Sequence, residues 1–255
     1  MGEFKEISEP LILAIETATR AGGVSVAKGD RVLSARTGDA AVSHSANLIE
    51  MIGQALNQAG TQLSEIDLFA AAVGPGSFTG LRIGLATVKA LALCTGREVT
   101  GVNTLAAIAH ASGAAGRIVS LLPAGRGEVF AQMFSGEKGI VSALDSAAHL
   151  TPPALLEKYG DLPQLNWSGD GAQQQVEWLR ARAKDRGFEF HEGVAGTSGW
   201  SVTPESINLS NSVAGLALKE HRAGKSTTPA ELHAVYVRAS DAEIKERWPP
   251  QKAQP

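Results

Sequence analysis

The sequence predicts an α/β protein built from two copies of one βββαβαβ unit. Three observations carry this. Short apolar runs bounded by turn residues alternate with longer segments whose apolar residues recur at helical spacing. The order of elements in the first half returns, in weaker form, in the second. A length of 255 residues suits two domains.

In the first copy, Leu11–Ile15 reads as a buried strand, and Glu16-Thr17-Ala18-Thr19-Arg20 as the turn after it. Gly23–Ala27 and Val32–Ala35 are two further strands, joined by the hairpin-type turn Lys28-Gly29-Asp30. Leu48, Ile49, Met51, Ile52, Ala55, Leu56 and Ala59 then mark a helix, with Ser43 or Ser45 as N-cap and Gly60 as its stop. Leu68–Val73 is a buried strand, Gly74–Gly80 a loop, Leu81–Leu93 a helix and Val99–Val102 a strand.

The second copy opens with strands at Ile118–Leu122, Val129–Phe134 and Ile140–Leu144. Thr151-Pro152-Pro153 starts a helix, since threonine caps and proline suits the first turn. A strand at Gln164–Trp167, a helix at Ala172–Ala183 and a strand at Phe188–Phe190 complete it. His191–Thr203, rich in Gly, Ser and Thr, reads as a connection. Leu209–Arg222 is a last helix with Gly224 as its stop signal, and Ala234–Arg238 is a short β-like run. The expected domains are 10–103, joined by the C-terminal helix 205–223, and 104–204, with 239–255 as a flexible tail.

Composition narrows the function. Lys+Arg is 23 against Asp+Glu 26, a net charge of −3. A chain that grips a phosphate backbone alone carries a basic face. The densest basic run, Arg180, Arg182, Lys184 and Arg186, alternates along a helix end, where cations suit the dipole. A direct tRNA binder is therefore disfavoured. The single cysteine, Cys94, forms no internal disulfide and fits a reducing compartment; it is expected to be a buried core thiol. No apolar run of membrane-spanning length and no signal peptide are recognised, so a cytoplasmic protein is expected.

The sharpest local motif is Gly74-Pro75-Gly76-Ser77-Phe78-Thr79-Gly80, which follows a strand and opens a helix, a position that suits anions. It lacks the Gly-Lys-Ser/Thr of a phosphate-binding P-loop, and no acid ends the next strand, at Val102-Asn103, to hold a dinucleotide ribose. The plainer reading is packing, with Gly80 and Gly84 letting the helix approach a neighbour closely. Gly224-Lys225-Ser226 imitates a P-loop end, but Lys219 stands where the first glycine belongs. The histidines, His44, His110, His149, His191, His221 and His233, include no pair at helical spacing for a metal, and no G-x-S-x-G elbow is present.

The duplicated unit is similar to nucleotide-binding folds of the actin, Hsp70 and sugar-kinase (ASKHA, ribonuclease H-like) type. Those folds place phosphate loops at the first hairpin of each domain, with an Asp at each first turn. Here the first turn carries Glu16, Thr17 and Thr19, and Pro123 stands in the second. Proline offers neither a carboxylate nor an N–H. A small-molecule kinase or ATPase of this fold is the alternative reading; its mark would be Mg²⁺-dependent ATP hydrolysis lost on Glu16→Ala.

Three blocks then closely resemble the bacterial TsaB family: Ile12–Thr19, Gly74–Gly84 and Gly101–Leu105, with weaker matches at Gly127–Phe130 and Val235–Arg238. The resemblance implies a non-catalytic relative of the tRNA threonylcarbamoyltransferase TsaD. It implies a dimerisation partner that TsaD needs, with a TsaE-like ATPase joining and tRNA contacted only through the complex. Homodimers are also implied. TsaD holds its metal through a His-x-x-x-His pair; here His44 is followed by Leu48. The family usually has acids where this chain has Glu16, as Asp, and Pro123. No cofactor of the chain's own is expected, although a nucleotide at the partner interface is compatible with the family. The expected interface is the helix pair, through His44, Leu48, Met51, Ile52, Leu56, Leu81, Gly84 and Val88; Glu16, Thr17 and Thr19 form the vestigial nucleotide loop.

Overall fold

The computed structural model describes residues 9–41, 43–193, 198–204 and 208–237, with His44 described by its backbone alone. The first sheet contains β1 (Leu11–Glu16), β2 (Gly23–Lys28), β3 (Arg31–Thr37), β4 (Leu68–Gly74) and β5 (Glu98–Asn103). Its order is β3-β2-β1-β4-β5. The hairpin strand β2 is antiparallel to β1 and β3, whereas β4 and β5 run parallel to β1. Parallel strands need crossovers, and these are the helices α1 (His44–Ala59) and α2 (Phe78–Thr95). α3 (Thr104–Ser112) leads to the second sheet.

The second sheet contains β6 (Gly116–Gly125), β7 (Glu128–Glu137), β8 (Ile140–Ala143), β9 (Ala148–Leu150), β10 (Gln164–Ser168), β11 (Phe190–Glu192) and β12 (Gly199–Val202). The helices α4 (Pro152–Tyr159), α5 (Asp170–Gln174) and α6 (Val176–Asp185) punctuate it, and α7 (Leu209–Arg222) follows. The order is β11-β12-β10-β6-β7-β8, with β9 also paired to β7. From β8 to β12 this repeats the first sheet, and β11 is an added edge. The duplicated order is that of the ASKHA type.

Three apolar cores stack through the molecule. One lies between the outer face of the first sheet and α1 and α2, with Leu13, Phe69, Leu48, Ile52 and Val88. A central core joins the inner faces of both sheets through α3 and α7, with Ile12, Leu68, Leu105, Ile118, Phe134 and Val213. The third lies under α4, α5 and α6, where Trp167 and Trp200 meet edge to face at 5.0 Å between centroids.

Several elements differ from the sequence reading. α2 starts three residues before Leu81, because Ser77 Oγ accepts from Gly80 N at 3.2 Å and turns part of the loop into the first helical turn. α3 was not foreseen; Asn103 caps it by accepting from Ala106 N, and Gly113 ends it in the left-handed conformation. The helix expected over Ala172–Ala183 is two, divided at Gln175. The strand expected at Phe188–Phe190 starts at Phe190 and is the edge strand β11. The expected connection contains β12, which pairs with both β10 and β11. Ala234–Val237 forms no strand and is held by Val235 N donating to Val73 O at 2.7 Å. Arg238, residues 205–207 and the expected tail lie outside the described residues.

Two further expectations are corrected. Cys94 is exposed. α2 buries Leu81, Leu85, Val88 and Ala92, and Cys94 comes two residues after the last of these, on the opposite side of the helix. α2 is also long and apolar enough to cross a membrane by length and composition, with mean hydropathy 1.3. Its buried face lies against the first sheet.

Candidate functional site

The two sheets face one another across an open cleft of ≈ 880 Å³. One wall comes from the turn after β1 (Ala18–Ala21) and the starts of α1 and α2, with Ser43, Ser45, Ser77 and Thr79. The other comes from Leu122 and Pro123 at the end of β6 and from Asp170, Gln173 and Gln174 of α5. A second cavity of ≈ 260 Å³, with Glu16, Ile108, Ser112 and Ser168 in its walls, shares Thr19, Ala21 and Asp170 with the first.

The β1 turn is built around Glu16. Its side chain is buried, with Oε1 accepting from Thr19 N at 2.7 Å and Oε2 from Thr19 Oγ1 at 2.5 Å. Thr19 Oγ1 in turn accepts from Gly22 N at 3.3 Å. The glycine motif locks onto this turn. Ser77 N donates to Ala18 O at 2.8 Å, and a Cβ on Gly76 would come within 2.6 Å of Ala18 Cβ and O. Gly84 is seated on Thr17, where a Cβ would overlap the Thr17 hydroxyl. The neighbour that these glycines approach is therefore the chain's own β1 turn.

The opposite wall holds residues the sequence reading missed. Gly169-Asp170-Gly171 follows β10 and opens α5. A Cβ on Gly169 would stand 2.5 Å from Leu121 O, and one on Gly171 2.9 Å from Leu121 C and Cβ. Both glycines let α5 lie on β6 and bring Asp170 into the cleft. Gln173 Nε2 donates to Thr203 O at 2.5 Å and pins the helix. The available signal was a strand followed by Gly-x-Gly at a helix start.

The pair of turn acids that holds a Mg²⁺-phosphate in this fold type is incomplete here. Mg²⁺ wants accessible hard oxygen ligands. Glu16 is buried and bonded twice to Thr19, and Pro123 contributes no carboxylate. Among the described residues no three His, Cys, Asp or Glu side chains gather as metal ligands. The cleft is lined by hydroxyls, with Arg20 and Asp170 at its walls, a lining that suits a polar ligand.

The residues expected at a partner interface are placed otherwise. Leu48, Met51, Ile52 and Leu56 of α1 and Leu81 and Val88 of α2 are all buried by the chain's own packing. They lie within one broad arc of each helix, and that arc covers the sheet. Gly84 is occupied by Thr17, and the side chain of His44 lies outside the described residues. The exposed residues are different: on α1, Ala46, Ile49 and Gly53 beside the polar Glu50, Gln54, Asn57 and Gln58, and on α2, Arg82, Ala86, Ala90, Leu93 and Cys94.

Comparison with known proteins agrees with this architecture. Residues 38–238 match the family model described as TsaD, tRNA N6-adenosine threonylcarbamoyltransferase. The tRNA threonylcarbamoyladenosine biosynthesis protein TsaB of Escherichia coli is 34% identical over 155 residues, covering 59% of this chain and 67% of that one. The TsaB protein of Bacillus subtilis is 26% identical over 241 residues, covering 92% and 96%. A crystal structure from Pseudomonas aeruginosa, described as similar to peptidase YeaZ, superposes with a TM-score of 0.73 at 24% identity over 90% of this chain and 100% of that one. The chain belongs to the family that the TsaD model describes and, within it, to the TsaB proteins.

Proposed function

We propose that this chain is the non-catalytic partner subunit of the machinery that makes threonylcarbamoyladenosine in tRNA, and that it docks and activates a TsaD-like catalytic subunit through the outer faces of α1 and α2. The observation that carries the reading is an apolar helix face left open. α2 has a mean hydropathy of 1.3 over 18 residues, yet 33% of it is buried. Its exposed side runs Arg82, Ala86, Ala90, Leu93, and Leu93 is 68% exposed. On α1, Ile49 is also 68% exposed, and the Cβ position of Gly53 has no neighbour within 4 Å. Small residues let a partner helix come close, and two large apolar side chains offer anchors.

The non-catalytic part of the reading rests on α1 and the cleft. Leu48, four residues after His44, points into the core, so this helix offers no second imidazole there. The β1 turn spends its acid on its own backbone. The reading includes a TsaE-like ATPase in the assembly, tRNA reached only through the complex, a homodimer as the competing state, no cofactor of the chain's own and a cytoplasmic setting.

Light scattering on a sizing column tests it, with the chain alone and mixed with a TsaD subunit from the same cell. A stoichiometric mixed complex is expected, and Ile49→Glu with Leu93→Glu should abolish it while the far-UV spectrum stays unchanged. A wild-type chain that ignores TsaD, or one that hydrolyses ATP alone with Mg²⁺, would overturn the reading.

A further inference from the structure

We propose that His110 makes the packing of α3 on α7, and with it one wall of the smaller cavity beside the cleft, sensitive to acid. His110 lies in the last turn of α3, half-buried in the layer between the two sheets. Its Nδ1 is 3.0 Å from Ser212 Oγ on α7, and Ser212 is itself buried. One turn further along α7, a Cβ on Gly215 would lie 3.6 Å from His110 Cε1 and 3.9 Å from Nε2. The imidazole thus lies over Gly215 of α7, at a distance where a methyl group would make ordinary van der Waals contact with the ring. Ser212, Gly215 and Lys219 follow at helical spacing on one face of α7, so the ring's ionic neighbour is a cation.

Other charges near α3 do not offset this. The α3 sequence has no second ionisable residue, and β4, β8 and β10 have none. Glu98 of β5, Arg117 of β6 and Glu137 of β7 are exposed, while Glu128 of β7 is paired with His149 at 2.7 Å. On α7, Glu220 pairs with Lys225, His221 turns to Ser226 and Arg222 pairs with Glu9 and Asp30. Burial first, and Lys219 second, hold the imidazole below its ordinary value. They outweigh the C-terminal dipole of α3, which favours a cation.

The sign follows from linkage. The folded chain binds the His110 proton less readily than the unfolded chain. Its contribution is complete above the unfolded value of 6.5 and is lost as pH falls through that value toward the folded one. The layer that loosens also lines the inner cavity, through Ile108, Ala111 and Ser112 of α3 and Leu209 of α7.

Three measurements on the full chain test this. The His110 ring, followed by NMR, should titrate below 6.5, and Lys219→Ala should move its midpoint upward. Thermal unfolding should fall more steeply with acid in the wild type than in His110→Gln, the gap opening below about pH 6.5. Amide exchange in α3, corrected for the intrinsic pH dependence, should quicken over the same range. Titration at or above 6.5, parallel stability curves, or unchanged α3 exchange would each overturn the proposal. Should His110→Gln not fold, the wild-type titration and exchange decide.

Discussion

Gly84 of α2 and Thr17 of the β1 turn share a single space: a side chain on Gly84 would overlap the Thr17 hydroxyl, with Thr17 Cβ and Cγ2 at 3.3 and 3.4 Å. Gly84→Ala is therefore expected to cost about 1–3 kcal/mol. Removing the hydroxyl in Thr17→Ala should recover part of that cost. A double-mutant cycle by urea denaturation measures the coupling, expected at about 0.5–3 kcal/mol. Additive effects would show that the two residues do not meet.

Neighbouring residues on α1 should behave in opposite ways. Leu48 is 1% exposed and Ile49 68%. Leu48→Ala opens a cavity and should cost about 2–5 kcal/mol. Ile49→Ala should stay within about 0.5 kcal/mol and show its effect only on complex formation. For the same reason, charges at Met51 and Ile52 should unfold the chain rather than detach a partner. Denaturation midpoints read beside column profiles separate the two outcomes.

Glu16→Ala removes the acceptor for Thr19 N and Thr19 Oγ1. A buried donor left without its partner costs about 1–3 kcal/mol, so the β1 turn should loosen. Faster amide exchange at Thr19 and Gly22, with the second sheet unaffected, is the expected signature. An unchanged exchange pattern would mean that the carboxylate does not hold the turn.

Acid should act on the segment after α7 through Glu231. Thr228 N and Thr228 Oγ1 both donate to its carboxylate, and they hold it below the usual carboxylate value of 4.5. Its contribution is present above 4.5 and lost as pH falls through the lowered value. Glu231→Gln should flatten the corresponding part of the stability curve below pH 4.5. Exchange at Thr228, followed across that range in both proteins, reads the same loss locally.

Much of the fold was legible where one strong local signal acts alone. α7 runs from Leu209 to Arg222, as its periodicity predicts, and Thr151 caps α4 with Pro152 at its first position. What was missed lacks such a signal. α3 is buried on most sides, so it has no polar face to mark the helical period. β12 has four residues inside a Gly- and Ser-rich stretch, and its register comes from β10 and β11 rather than from its own sequence. Within the site, the glycine block and the β1 turn were found, but their contact with each other was not, because the chain between them is long. The helix pair was legible as helices; periodicity names an apolar arc without saying what covers it. The sheet took Leu48, Met51, Ile52 and Leu56, and left Ile49 outside.

α7 packs on β1, β2, β4 and β5, strands whose last residue is Asn103. During synthesis the first sheet's inner face, with Ile12, Ala14, Leu68 and Ala70, must wait for a helix that ends at Arg222. At ordinary translation rates that wait is on the order of ten seconds. The second sheet can be completed within it, so the lobe made first is the lobe finished last. A nascent chain halted before Leu209 would carry a finished second sheet and an uncovered first one.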